Sequence, residues 1–76
     1  MGPIYLDELK SEAKNLSYTR IRRDGDTQWR PLESWGGFSA STGVALMTVQ
    51  VVYYLEGNRV RVRRALDDQE YWYTLS

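Results

Sequence analysis

The sequence predicts an α+β domain: one short N-terminal helix packed on an antiparallel sheet of about five strands, built as two hairpins plus a C-terminal strand. Three observations predict it. An apolar stripe at helical spacing lies near the N-terminus. Two turn signals, Asp24-Gly25 and Gly57-Asn58, each separate extended runs. From residue 45 onward the chain is dominated by β-branched and aromatic residues in alternation.

Residues 4–16 read as the helix, with Tyr5, Leu9, Ala13 and Leu16 recurring along one face and Leu6 beside them. Asp7 and Glu8 fall early and Lys14 late, as the helix dipole favours. Pro3 suits a first turn, and Asn15 serves as the terminator. A helix of about three turns is marginal alone and has to dock on something. Tyr18–Arg23 and Thr27–Arg30 form the first hairpin around Gly25, with Ile21 opposite Trp29 so that both apolar side chains share a face. Pro31 ends that pairing or marks an edge. The Gly/Ser-rich stretch Glu33–Ala45, which carries Trp35 and Phe38, reads as a loop longer than usual.

Ala45–Leu55 is the strongest strand, with Met47, Val49, Val51, Tyr53 and Leu55 on one face. After the Glu56-Gly57-Asn58 turn, Arg59–Arg63 returns in strict alternation, which sets Val60 and Val62 on the face of Tyr53 and Leu55. The adjacent Arg63 and Arg64 interrupt the alternation, and a bulge there would keep both out of the core and return Leu66 to it. A turn at Asp67-Asp68-Gln69 leads to Glu70–Leu75, with Tyr71, Tyr73 and Leu75 inward and Trp72 outward. Five strands with so little helix leave edges that curling toward a small barrel would remove.

Residues 1–76 make a single small domain. Such a chain buries only about 60% of its unfolded surface, so the six Tyr, three Trp and one Phe are its main source of burial. Cysteine and histidine are both absent. Thiolate metal sites, disulfides, thiol nucleophiles and imidazole bases are therefore excluded. The Asp24-Gly25-Asp26 turn lacks the remaining ligands of a calcium loop, and Trp35-Gly36-Gly37 lacks the lysine of a phosphate loop. No catalytic residue, cofactor or metal is expected, and the chain reads as a binding protein rather than an enzyme. No apolar run is long enough to span a bilayer, and Met1–Leu6 does not resemble a secretory signal or a myristoylation site. The expected compartment is the cytoplasm.

Ten basic residues balance ten acidic ones, yet eight of the basic residues are Arg. Arginine offers a planar fork for carboxylates, phosphates and aromatic faces, so its dominance points to contacts. The candidate partner-binding residues are Trp35, Phe38, Tyr54, Arg59, Arg61, Arg63 and Trp72. Trp, Tyr and Arg are the residue types that carry most interface energy. Trp35 and Phe38 are either projecting anchors or plugs folded back on the core. The face carrying Tyr54, Trp72 and Val52 is covered either by the helix or by a partner.

The expected partner is a protein, in the form of a host complex that handles nucleic acid or a second copy of the chain in a homodimer. Small, cysteine-free, Arg- and aromatic-rich domains of this type are often stoichiometric inhibitors from phages and other mobile elements, anti-CRISPR proteins among them. Such an inhibitor blocks sterically, with Asp24, Asp26, Asp67, Asp68 and Glu70 available to meet a basic channel. The alternative is a single-stranded nucleic-acid-binding domain using Arg59, Arg61 and Arg63, joined by Arg20 and Arg22, beside the aromatics. Zero net charge and a pI of about 6.2 weigh against it.

Overall fold

In a computed structural model the described residues are 2–38, 51–65 and 68–76. They form α1 (Leu6–Asn15), β1 (Arg20–Arg23), β2 (Arg30–Pro31), β3 (Val51–Glu56), β4 (Arg59–Arg64) and β5 (Gln69–Leu75). All strand pairs are antiparallel, in the order β2-β1-β5-β4-β3. The predicted α+β class and hairpin plan hold, and the sheet is not closed into a barrel; among the described strands β2 and β3 lie at its two ends.

The helix is shorter than the 4–16 predicted. Ile4 instead pairs with Tyr53 through two backbone hydrogen bonds of 2.9 Å, adding a bridge to the outer edge of β3. Tyr5 becomes the N-cap, without a side-chain cap bond. The ends of the predicted stripe consequently fall away: Tyr5 is 60% and Leu16 54% exposed, while Leu9 and Ala13 are wholly buried. Asn15 is the last helical residue, but the residue that turns the chain out is Ser17, at φ 68°. The Tyr18 amide bonds the Ala13 carbonyl and the Ser17 amide bonds that of Lys14, at 3.0 and 2.9 Å. Those two bonds define a Schellman ending, with Ser17 in the left-handed position where glycine is usual.

The β3–β4 hairpin has the register that alternation requires, with Tyr53 opposite Val62 and Leu55 opposite Val60 across the Gly57-Asn58 turn. The predicted Ala45–Gln50 part of that strand, with Met47 and Val49, lies outside the described residues, as do Ser39–Ala45 of the predicted loop and Leu66 and Asp67. The expected bulge at Arg63-Arg64 is not formed: Val51 pairs with Arg64 and Arg64 with Gln69 in unbroken register. Arg64 thus stays on the inner side, half-buried, with its guanidinium 5.7 Å from both the Phe38 and Tyr71 ring centroids. Arg23 reaches the same two rings at 5.5 and 5.1 Å. Stacking on aromatic faces lets an arginine sit at the rim of a core without a kink in the strand.

The first hairpin also departs from expectation. Ile21 pairs with Arg30, not with Trp29. The cause is Leu32, which follows Trp29 by three residues and so has the opposite facing along an extended chain. Leu32 is buried in the core, and Trp29 is displaced to the other face. Pro31 lies in the edge strand β2, as predicted.

A single core lies between α1 and the inner sheet face. Leu9 and Ala13 from the helix meet Ile21, Tyr53, Leu55, Val60, Val62, Tyr73 and Leu75, closed at one end by Leu32, Trp35 and Phe38. Trp35 packs edge-on against Tyr53 and Tyr73, with ring centroids 6.0 and 5.0 Å apart. Lys10 pins α1 to this plug by donating to the Glu33 and Trp35 carbonyls, both at 2.9 Å. Gly37 makes the chain reversal that inserts Phe38, whose amide donates to the Tyr53 hydroxyl at 3.2 Å.

Candidate functional site: the outer sheet face

The helix covers the inner face, which leaves the outer face carrying Tyr54, Arg59, Arg61, Arg63 and Trp72, the five sheet residues singled out from sequence. Period-2 geometry alone brings them together. Arg59, Arg61 and Arg63 alternate along β4, Tyr54 stands opposite Arg61 on β3, and Trp72 stands opposite Arg61 on β5. Trp35 and Phe38 do not join them. Both are buried, at 3% and 1% exposure, so of the two arrangements open to them they adopt the folded-back plug.

Each of the three outer-face arginines of β4, Arg59, Arg61 and Arg63, is held by a carboxylate. Arg59 grips Asp24 with two parallel bonds of 3.1 and 2.7 Å, a bidentate arrangement with more directional strength than a single contact. The Thr74 hydroxyl completes the set, accepting from Arg59 at 2.7 Å and donating to Asp24 at 3.2 Å. The hydrogen bond from Arg59, joined by that from Thr74 and by the nearby positive charges of Arg59 and Arg22, outweighs the opposing desolvation and holds the Asp24 carboxyl below its usual 3.8. Arg61 bonds Glu70 at 2.9 Å. Arg63 bonds one Asp68 oxygen through two nitrogens at 3.0 and 2.7 Å, and this pairing, with help from Tyr54, strengthens its hold on its proton.

The same guanidinium groups lie over aromatic rings. Arg61 is 4.2 Å from the Tyr54 centroid and Arg59 is 5.2 Å from that of Trp72. Both rings remain half-exposed. The face is thus a set of flat, amphipathic groups locked in place by ion pairs along their sides.

A third ring, absent from the sequence-derived set, extends this surface. Trp29 lies beneath Arg20 and Arg22, whose guanidinium carbons are 5.2 and 5.1 Å from its centroid. Arg22 donates to the Asp26 carbonyl at 2.9 Å, and Arg20 to the Ser76 hydroxyl at 3.2 Å. The signal that could have found Trp29 was Leu32: only one of two apolar residues three apart in a strand can face the core.

Comparison with known protein families, curated proteins and solved structures gives no match to this chain.

Proposed function

We propose that this chain is a small non-catalytic protein-binding module, a stoichiometric inhibitor or adaptor that uses its outer sheet face to occlude a surface of a larger complex. The observation that carries this reading is the pairing of Arg59, Arg61 and Arg63 with Asp24, Glu70 and Asp68 on the very face that exposes Tyr54 and Trp72. Rings and guanidinium groups whose positions are fixed before contact lose little conformational entropy on binding. Trp, Tyr and Arg in that state are the usual hot spots of protein interfaces.

The pairing also weighs against single-stranded nucleic acid. Affinity for phosphates comes largely from releasing counterions as cations meet them. An arginine already neutralised by a carboxylate contributes little of that. The Tyr54 and Trp72 rings, moreover, already have a guanidinium over them where a base would stack. The small size and mixed charge suit the mobile-element inhibitor type, anti-CRISPR-like, with a host nucleic-acid-handling complex as the target. No helix among the described residues is long and apolar enough to cross a membrane, and the cytoplasm is the proposed compartment.

Two measurements test this. A labelled mixed-sequence single-stranded oligonucleotide is titrated at low and near-physiological salt, with no binding expected at either. Micromolar, salt-sensitive binding would overturn the reading in favour of nucleic acid. Host lysate is then passed over the wild-type protein and over Trp72→Ala and Tyr54→Ala. A partner held by wild type should lose about 30-fold in affinity with Trp72→Ala, the ~2 kcal/mol of a hot spot. Retention by both variants would remove the outer face from consideration. Where the partner is a second copy, the same variants shift the oligomeric state instead.

A further inference from the structure

We infer that the β1–β2 end of the outer face, Arg20, Arg22 and Trp29, is the electropositive pole of the docking surface, and that it receives an acidic segment of a protein partner. The inference rests on the protein-binding reading above and names the chemistry of one end of that surface. It starts from a contrast within a single sheet face. On β4 each of the outer-face arginines, Arg59, Arg61 and Arg63, is positioned by a carboxylate. On β1 the two outer-face arginines, Arg20 and Arg22, are positioned by neutral oxygens, the Ser76 hydroxyl and the Asp26 carbonyl, and by the Trp29 ring. Among the described residues neither has a carboxylate within ion-pair distance. The Asp24 carboxylate senses the charge of Arg22 but gives both oxygens to Arg59.

The Arg20 and Arg22 side chains are therefore held in place without a carboxylate paired to either. Arg20 is exposed and Arg22 half-exposed, and both guanidinium carbons lie within 5.2 Å of the Trp29 centroid. Like charges gathered this closely are unfavourable in the free protein, so an anion bound there gains from relieving that repulsion as well as from its own contacts. The guanidinium fork matches a carboxylate in two parallel bonds. An acidic protein segment fits better than a nucleic acid strand because the pole is short. A phosphate backbone continuing from it across the sheet would next meet the carboxylates of Asp24, Glu70 and Asp68, whereas a peptide can place its acidic residues at the pole and others beyond it.

The test uses the ¹⁵N-labelled full chain at low salt, with a short polyglutamate peptide as the probe and a short poly-dT oligonucleotide as competitor. Saturable shifts are expected at the Trp29 indole N–H and at Arg20 and Arg22, with the buried Trp35 indole unmoved. Arg20→Glu/Arg22→Glu should weaken the peptide by about tenfold or more, and Lys14→Glu, an equal charge change per site on the helix, by less than about twofold. Arg20→Lys/Arg22→Lys, which keeps charge and fold but loses the fork, should fall between. Shifts centred on Arg61 and Arg63, equal loss with Lys14→Glu, or no binding would each overturn the assignment. Displacement of the peptide by poly-dT at lower concentration would overturn it in favour of phosphate. A partner lost with Trp72→Ala but kept with Arg20→Glu/Arg22→Glu would sink this inference and leave the protein-binding reading standing.

Discussion

Gly37→Ala places a single methyl group at the point where the core plug is threaded, and its cost can be built up from backbone strain and close contacts. Gly37 has φ +94°, where an L-residue is strained by about 1–2 kcal/mol. A Cβ there would stand 2.8 Å from the Tyr53 hydroxyl and 3.2 Å from a Leu6 methyl. The hydroxyl cannot keep its place, so its bond from the Phe38 amide is lost inside the core, at about 1–2 kcal/mol more. The sum, about 2–4 kcal/mol, is a large part of the roughly 4–11 kcal/mol expected for a domain of this length. Urea unfolding followed by tryptophan fluorescence measures it as a fall in midpoint at constant slope. Gly25→Ala is the control. Its φ is +95° but nothing lies within 4 Å of the added Cβ, so it should cost only the backbone share. Tyr53→Phe closes the cycle: it removes the clashing oxygen, and the double variant should be more stable than the two single losses added together. Equal costs for Gly37→Ala and Gly25→Ala, or simple additivity with Tyr53→Phe, would refute the packing argument.

Ser17→Gly should stabilise the protein by about 0.5–1 kcal/mol, because Ser17 occupies the left-handed position of the helix ending at φ 68°. A midpoint unchanged in urea would show that the ending is not strained. Asp24→Asn should cost roughly 0.5–1 kcal/mol at neutral pH, a small figure because both partners are 40% exposed. The Asp24 carboxyl is lowered in the fold, so its contribution is present above the usual 3.8 and is lost as pH falls through the depressed value. The gap between wild type and Asp24→Asn, measured by unfolding across acid pH, should therefore close on acidification. Tyr53 shows the opposite sense at alkaline pH. Burial raises its hydroxyl above the usual 10.0, so stability is full below that value and declines as pH rises past it toward the folded value. Tyr53→Phe should flatten that decline.

How far the sequence reveals this molecule depends on which interactions fix each element. The β3–β4 hairpin is set by local alternation and a two-residue turn, and its register could be read directly from Tyr53, Leu55, Val60 and Val62. The outer-face residues Tyr54, Arg59, Arg61, Arg63 and Trp72 came with it, because facing alternates strictly. The first hairpin could not be read so. Burying both Ile21 and Trp29 looked best until Leu32 claimed the core. The ion pair between Arg59 and Asp24 joins residues 35 apart and exists only because β1 pairs with β5, a non-local choice without a local signature. The inward placement of Arg64 has no local signal either: a charge on the inner face is tolerable only where rings stand ready, and Phe38 and Tyr71 are brought there by separate segments. The helix starts later than its apolar stripe suggests because Ile4 gains two hydrogen bonds to Tyr53 by staying extended.

An open sheet that exposes Trp and Tyr on one face invites aggregation, and the arrangement around it addresses that hazard at the edges and the face separately. Ile4 occupies part of the β3 edge, while β2 is two residues long and ends in Pro31, which has no amide to offer. Among the described residues, both features discourage strand addition. On the face, Tyr54, Trp72 and Trp29 are overlaid by Arg61, Arg59 and the Arg20/Arg22 pair, so contact with a featureless apolar surface would strip water from fixed charges. Only a partner that supplies its own polar groups in matching positions recovers that cost. The rings provide area and the arginines provide discrimination. Replacing Arg59 and Arg61 by Met would test the division, since it keeps aliphatic cover over Trp72 and Tyr54 but removes the charge. The expected outcome is a folded protein that self-associates in sedimentation and binds its partner less selectively. A monomer with unchanged selectivity would assign the arginines to solubility or packing alone.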